Sequence, residues 1–289
     1  AFLRNHSTAR SSDFVLTDGN GRETFGAVLQ DCTITEGAIR DILQACSFCF
    51  PTAAIVSRNN NHTPDTKCAL CKKSTDTLGH RMMHCPEIKE AHNRMHDDIA
   101  SALIQSVTLA LRGSKTGHKV QVVTPHTALR IDQLWPDCPE AIADFVPDGI
   151  IIVDSPQGCK AKPRIIIVEF ARCYSVELGD LEDTAAGKHM QYHSTTQFLT
   201  NKFPGHTVRC HSLIMSVFGT IPQDSWTAYF EEAGLTDAQS RRIQHDGIRA
   251  CIIAGHALHN TYRSRMEILR SSCTDTSTPG HRLNRTGIG

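Results

Sequence analysis

Two groups of side chains in this sequence combine chemically capable residue types with telling spacing. The first is Cys68-Ala-Leu-Cys71 followed by His80 and Cys85, a C-x2-C-x8-H-x4-C pattern. Zinc takes four soft or borderline ligands in a tetrahedron, and a C-x2-C turn sets two thiolates on one side of an ion. His80 and Cys85 can close such a site from the start of a following helix, which points to structural zinc. Two alternatives stay open. Cys46 and Cys49, taken with Cys68 and Cys71, have a zinc-ribbon spacing, and His84 neighbours the expected ligands. Cys46 and Cys49 lie in the apolar run 42–50, however, where a helix packing into a core is the plainer reading.

The second group is a pair of acids. Residues 146–170 read VPDGIIIVDSPQGCKAKPRIIIVEF, with Asp148 just before the apolar run 150–153 and Glu169 just after the run 165–168. Apolar runs without alternation suggest strands covered on both faces. The loop 154–163 makes them an antiparallel hairpin. With Val153 opposite Arg164, five steps back on one strand and five forward on the other bring Asp148 opposite Glu169. Directly opposed residues have Cβ atoms about 4.5–5.5 Å apart. Two carboxylates that close repel, and burying them is costly unless a cation lies between them. Mg²⁺, an oxygen-ligated ion suited to phosphate chemistry, removes that cost. The same residues also admit an ordinary Pro-Asp-Gly turn and a solvated strand end. A slip of one residue would put the acids on opposite faces.

The elements that must position these groups are legible as patterns. Helical spacing marks 35–49, and 57–65 reads as a loop. A long helix is expected over 87–111, with Pro86 in its first turn and Ile99, Leu103, Val107 and Leu111 recurring every fourth residue. Gly113–Gly117 reads as a boundary. Strands are expected at 119–124, 149–153, 164–170 and 208–218, and helices at 179–199, 226–233 and 237–269. The organisation expected is an arm and helical segment over 1–66, a zinc knuckle with its helix over 67–112, a larger α+β domain over 113–270, and a disordered tail over 271–289.

Composition bounds the rest. With 30 basic and 30 acidic residues in 289, global charge announces no polyanionic partner. Residues 238–289 are locally basic, with eight arginines against Asp246, Glu267 and Asp275. No signal peptide and no run of roughly 20 apolar residues is evident, so a soluble, intracellular protein is expected, with no membrane partner. The first residue is Ala, which fits a piece of a longer polyprotein or a processed chain.

The order Cys68, Cys71, His80, Cys85, then Pro147-Asp148, then Glu169-Phe170-Ala171-Arg172, then Lys188 and Tyr192 resembles the C-terminal region of non-LTR retrotransposon polyproteins. There a CCHC zinc knuckle precedes a restriction-like endonuclease of the PD-(D/E)xK type. The resemblance covers residues 40 to about 220. It implies a restriction-endonuclease-like mixed β-sheet flanked by helices, with Asp148 and Glu169 holding Mg²⁺ or Mn²⁺. The Lys that usually follows the Glu by two positions is Ala171 here. The resemblance puts that Lys on the next helix as Lys188, sharing a helix face with Tyr192. Lys188 would position water or steady the phosphate, and Tyr192 would touch a phosphate or brace Lys188. The implied activity is hydrolytic nicking of target DNA that leaves a 3′-hydroxyl to prime reverse transcription. A reverse transcriptase in the same polyprotein, element RNA and a nuclear location follow from it. No Tyr-x-Asp-Asp polymerase signature is present. Asp132 and Asp144 are secondary acid candidates. Arg164, Arg172, Arg241 and Arg242 are candidate DNA contacts, as are Arg249, Arg263 and Arg265, although the arginines of 237–269 also fit the polar face of a long helix.

Two other classes compete. A decayed or domesticated element would keep a zinc-knuckle nucleic-acid-binding module without cleavage, and the missing Lys at Ala171 suits it. A zinc-stabilised interaction protein would bind no nucleic acid at all.

Overall fold

The structure of the chain is a computed structural model that describes residues 28–46, 51–60, 65–113, 119–123, 127, 129–155, 162–175 and 178–274. The Ile/Val runs form the middle of one sheet. Strands β1 (Lys119–Val123), β2 (Gly149–Asp154) and β3 (Arg164–Cys173) make an antiparallel meander, and β4 (Thr207–Ser216) lies parallel to β3. Gly149 pairs with Val168 and Val153 with Arg164, the register expected from sequence. With its helices, the chain is an α+β protein with one open, mixed, four-stranded sheet.

Both faces of the sheet are covered, which is why β2 and β3 read as continuous apolar runs. On one face Ile151, Val153, Ile166, Val168, Phe170, Leu213 and Met215 join one hydrophobic cluster. Helices α3 (Lys89–Arg112), α6 (Gln223–Ala233) and α7 (Asp237–Thr274) complete it with Ile99, Leu103, Trp226 and Ile252. On the other face Ile150, Ile165, Ile167, Val208 and Cys210 pack with Tyr192 and with Leu199 of α5 (His193–Lys202). That face also carries α4 (Leu178–Gln191), which with α5 forms the crossover from β3 to β4. The stripe Ile99, Leu103, Val107, Leu111 is buried, as its spacing requires.

The first cluster runs from Val28 to Tyr262 and includes Cys68, Cys71 and Cys85. The turn expected as a boundary at residue 113 is therefore not a gap in the core. Helix α1 (Glu36–Cys46) and α7 pack on the cysteine-rich segment through this cluster.

Several expectations are corrected. The helix expected over 179–199 is two helices separated at Tyr192. The aromatic ring is buried against Phe145 there, while its N–H still reaches Lys188 O at 3.3 Å. The loop expected from residue 57 is preceded and partly replaced by α2 (Ala53–Asn60), because Thr52 Oγ1 accepts the Ile55 N–H at 3.3 Å and caps it. Helix α7 continues through Thr274, into the segment expected as a tail. The arm over 1–20, residues 114–117 of the expected boundary and residues 275–289 lie outside the described residues. No helix of the described residues is long and apolar enough to cross a membrane.

Gly149 explains part of the Pro-Asp-Gly sequence. A Cβ built there would overlap Ile104 Cδ1 of α3, so glycine lets the long helix lie directly on the start of β2. Gly149→Ala should destabilise the protein by about 1–3 kcal/mol through this overlap. Urea unfolding that shows no shift in midpoint would overturn that account.

Candidate metal centre and acidic site

The Cys/His segment folds around its four ligands. Cys68 N–H donates to Ser74 O at 2.7 Å and Lys72 N–H to Cys68 O at 2.8 Å, closing a tight loop. Lys72 takes a positive φ of 59° to make it. His80 and Cys85 bracket a single π-helical turn, His80–His84, and the Cys85 N–H donates to His80 O at 2.8 Å. The ligand atoms of Cys68, Cys71, His80 and Cys85 lie within 4.8 Å of one another, and all four residues are buried. Cys68 Sγ and Cys85 Sγ are 3.8 Å apart, and Cys71 Sγ and His80 Nε2 are 3.4 Å apart. A zinc tetrahedron with Zn–S near 2.3 Å and Zn–N near 2.05 Å has S···S edges of about 3.8 Å and S···N edges of about 3.6 Å. These two edges are consistent with zinc. Burial works against ionising Cys71, but N–H groups of Lys73 and Ser74 aimed at its sulfur bring its pKa below the usual thiol value. Burial pushes Cys85 up to about 12. Bound zinc replaces that proton.

The alternatives separate cleanly. His84 is exposed and is not part of the cluster. The side chain of Cys46, and Cys49, lie outside the described residues. Every described cysteine is a free thiol.

A second layer ties the centre to distant chain. Tyr262 Oη, on α7, lies 3.4 Å from Cys68 Sγ and 3.2 Å from Asp76 Oδ1. Asp76 takes a two-point contact from Arg81, 2.6 Å at each oxygen, and the guanidinium sits 4.4 Å from the Tyr262 ring centroid. Asp76 Oδ2 also accepts the Ala53 N–H at 2.8 Å. Burial alone would raise the Asp76 pKa, but the Arg81 contact outweighs it and holds it below the carboxylate range.

The acids meet where the hairpin register brings them. Glu169 continues the face of Ile165 and Ile167, and only 4% of it is exposed. Its Oε1 accepts from Lys188 Nζ at 2.5 Å, and its Oε2 is buried with no partner. Asp148 Oδ2 accepts the Phe170 N–H at 2.7 Å, so this side chain extends the β2–β3 ladder past the last backbone pair. Burial first, and then the neighbouring Glu169 charge, push the Asp148 carboxyl up to about 6, against the pull of His96, the Phe170 N–H and Lys188. Each carboxylate therefore uses one oxygen to be held, and the other accepts no hydrogen bond among the described residues; the Tyr192 hydroxyl stands near enough for Glu169 to help hold its proton, but it donates to Val146 O. The two remaining carboxylate oxygens could hold a hard cation, and the orphaned Glu169 Oε2 fits such a ligand.

Other expected residues fall elsewhere. Tyr192 is 2% exposed and its Oη donates to Val146 O at 3.1 Å, so its hydroxyl is turned into the fold. Arg164 turns inward to donate to Ala233 O at 2.8 Å, capping the C-terminus of α6. Arg172 is also turned inward, donating to Met82 O at 3.3 Å and His92 O at 3.4 Å. Neither presents a free guanidinium to DNA, because a carbonyl deep in the fold claims each one. Asp132 and Asp144 both pair with Arg130, at 2.6 and 2.9 Å, which accounts for both acids. Arg249 pairs with Asp31 and Arg265 with Glu87 O, while Arg241, Arg242 and Arg263 are exposed on α7. Sequence reasoning missed His96, Asp76, Arg81 and Tyr262. His92 and His96, four apart on the expected helix, were a usable signal, whereas Tyr262 lies 194 residues from Cys68 and leaves none.

Fold and site thus define an α+β protein with a buried Cys3His group that could hold a metal ion and a partly buried acid pair at the end of a β-hairpin. Neither a known protein family nor any curated protein matches the sequence.

Metal analysis of the purified chain should find one zinc per molecule, lost in Cys85→Ser. Tyr262→Phe should keep the metal but weaken its affinity by about tenfold. In metal-free protein, Asp148 keeps its proton to a higher pH in the folded chain than in the unfolded one. Its contribution is fully present below about pH 4 and is lost as pH rises through about 6. Asp148→Asn should therefore raise Tm at pH 7 and flatten the Tm profile between pH 4 and 7. An unchanged profile would mean that burial and Glu169 do not hold the proton on Asp148.

Proposed function

We propose that this chain is a metal-dependent DNA endonuclease with a restriction-like core, stabilised by a structural zinc knuckle. The observation that carries the reading is the hairpin register, which brings two acids together, each with one oxygen that accepts no hydrogen bond among the described residues and with Lys188 on Glu169. A mixed sheet flanked by helices, acids on an antiparallel hairpin and a lysine supplied by the next helix all suit that core.

Asp148 and Glu169 would hold Mg²⁺ or Mn²⁺. Bound there, the ion supplies an activated water and neutralises charge on the phosphoryl oxygens. Lys188 keeps Glu169 aligned through Oε1, and its side chain, 32% exposed, is open to an incoming phosphate oxygen. Tyr192 fixes the junction of α4 and α5 behind it. Water attacks phosphorus, the P–O3′ bond breaks, and the 3′-oxygen leaves as a hydroxyl. On this reading the nick primes reverse transcription by a polymerase of the same polyprotein, and the protein acts in the nucleus.

Plasmid nicking in Mg²⁺ and in Mn²⁺ tests this. Asp148→Ala and Glu169→Ala should abolish nicking while zinc content and fold persist. Lys188→Ala should slow it by about a hundredfold. Nicking that survives both acid substitutions would overturn the site. DNA binding without nicking would assign the chain to the catalytically inactive zinc-knuckle binding modules instead.

A further inference from the structure

We propose that His96 is a positioning residue of the acidic site, setting the geometry of both carboxylates by holding the Phe170 carbonyl beside the N–H on which Asp148 is anchored. The inference rests on reading Asp148 and Glu169 as a divalent-cation site.

The two backbone polar groups of Phe170 are both held on the same edge of β3. The N–H donates to Asp148 Oδ2 at 2.7 Å, and the carbonyl lies 3.0 Å from His96 Nε2. A carbonyl has no proton to give, so Nε2 carries the hydrogen and donates it. The same nitrogen stands 3.5 Å from Asp148 Oδ2. On the far side of the ring, Nδ1 lies 3.1 Å from Asp97 Oδ1, and the ring leans on the Phe170 ring with centroids 5.4 Å apart. The ring is thus fixed by Phe170 O and the Phe170 ring, with Asp97 adding a hydrogen bond when Nδ1 also carries a proton, and its Nε2 donor points at Phe170 O and Asp148, the two groups that order the acids.

Phe170 directly follows Glu169, so the setting of its peptide fixes where the Glu169 side chain leaves β3. Asp148 is anchored to the same residue. A donor that pins the Phe170 carbonyl therefore fixes the separation of the two carboxylates without bridging them. His96 is itself held by a stiff frame. Helix α3 begins at Lys89, just beyond the zinc ligand Cys85, and Arg172 of β3 reaches back to Met82 O and His92 O. Nothing in the zinc centre or in the core packing of α3 requires a histidine at this position. A leucine or alanine would satisfy the helix.

The test measures Mn²⁺ binding directly, by electron paramagnetic resonance of the free ion, on the zinc-loaded full chain. Wild type is compared with His96→Ala, His96→Gln, His96→Asn and Asp148→Asn, with Tm recorded for each. The Gln amide reaches as far as Nε2, and the Asn amide does not. His96→Ala and His96→Asn should weaken Mn²⁺ at the acidic site by about tenfold or more, and His96→Gln should stay within about threefold of wild type. Nicking should follow the same order at limiting Mn²⁺ and converge at saturating Mn²⁺. Equal Mn²⁺ affinity in the Gln and Asn variants overturns the proposal, even if the Ala variant fails to fold. So does a fall in Tm with affinity unchanged, which would make His96 purely structural. If wild type has no Mn²⁺ site that Asp148→Asn removes, the cation-site reading fails and takes this inference with it. If that site exists and no His96 variant alters it, only this inference fails.

Discussion

The pairing of Gly149 with Val168 governs the rest of the acidic site. Side chains alternate along a strand, so the register decides which residues share a face. In the observed register Glu169 lines up behind Ile165 and Ile167 and faces α4, where Lys188 meets it. A slip of one residue would exchange Glu169 for Val168 on that face. The Lys188 contact, the Asp148 anchor on Phe170 and the orphaned Glu169 oxygen would disappear together. What holds the register is apolar. Ile150 and Ile167 face one way, Ile151 and Ile166 the other, and all four are wholly buried. Two acids can be kept close in spite of their repulsion because moving them apart would expose that core.

The Cys3His centre does a different kind of work. Its ligands are local, but what they fasten is not. Asp76 joins the start of α2, Arg81 and Tyr262, while Arg172 runs from β3 to the main chain around Met82 and His92. The centre is therefore a junction of α2, α3, α7 and β3. Its four ligand atoms converge within 4.8 Å of one another, and its placement against the sheet comes from these polar ties.

Much of this was readable in the chain because the determining contacts are local or periodic. The four zinc ligands lie within one short segment, the α3 stripe repeats every fourth residue, and the two Ile/Val runs carry their own register. The unread parts depend on the directions in which long side chains turn. Nothing in the sequence around Arg164 or Arg172 says that one caps α6 and the other crosses to α3. Both were expected to face DNA, and both are drawn inward by backbone carbonyls that only the folded chain presents. The break at Tyr192 escaped for a similar reason, since it follows from seating one aromatic ring against Phe145.

The Tyr262 contact carries a consequence for the order of events during synthesis. Cys68 and its partner on α7 are separated by 194 residues. At translation speeds of about 5–20 residues per second, roughly 10–40 s pass between the appearance of one and of the other. The four ligands emerge long before the hydroxyl that sits on Cys68 and before the helix that covers them. A ribosome-bound chain thus offers its thiol cluster to solvent, and the cluster is closed over only after α7 has been made and has docked.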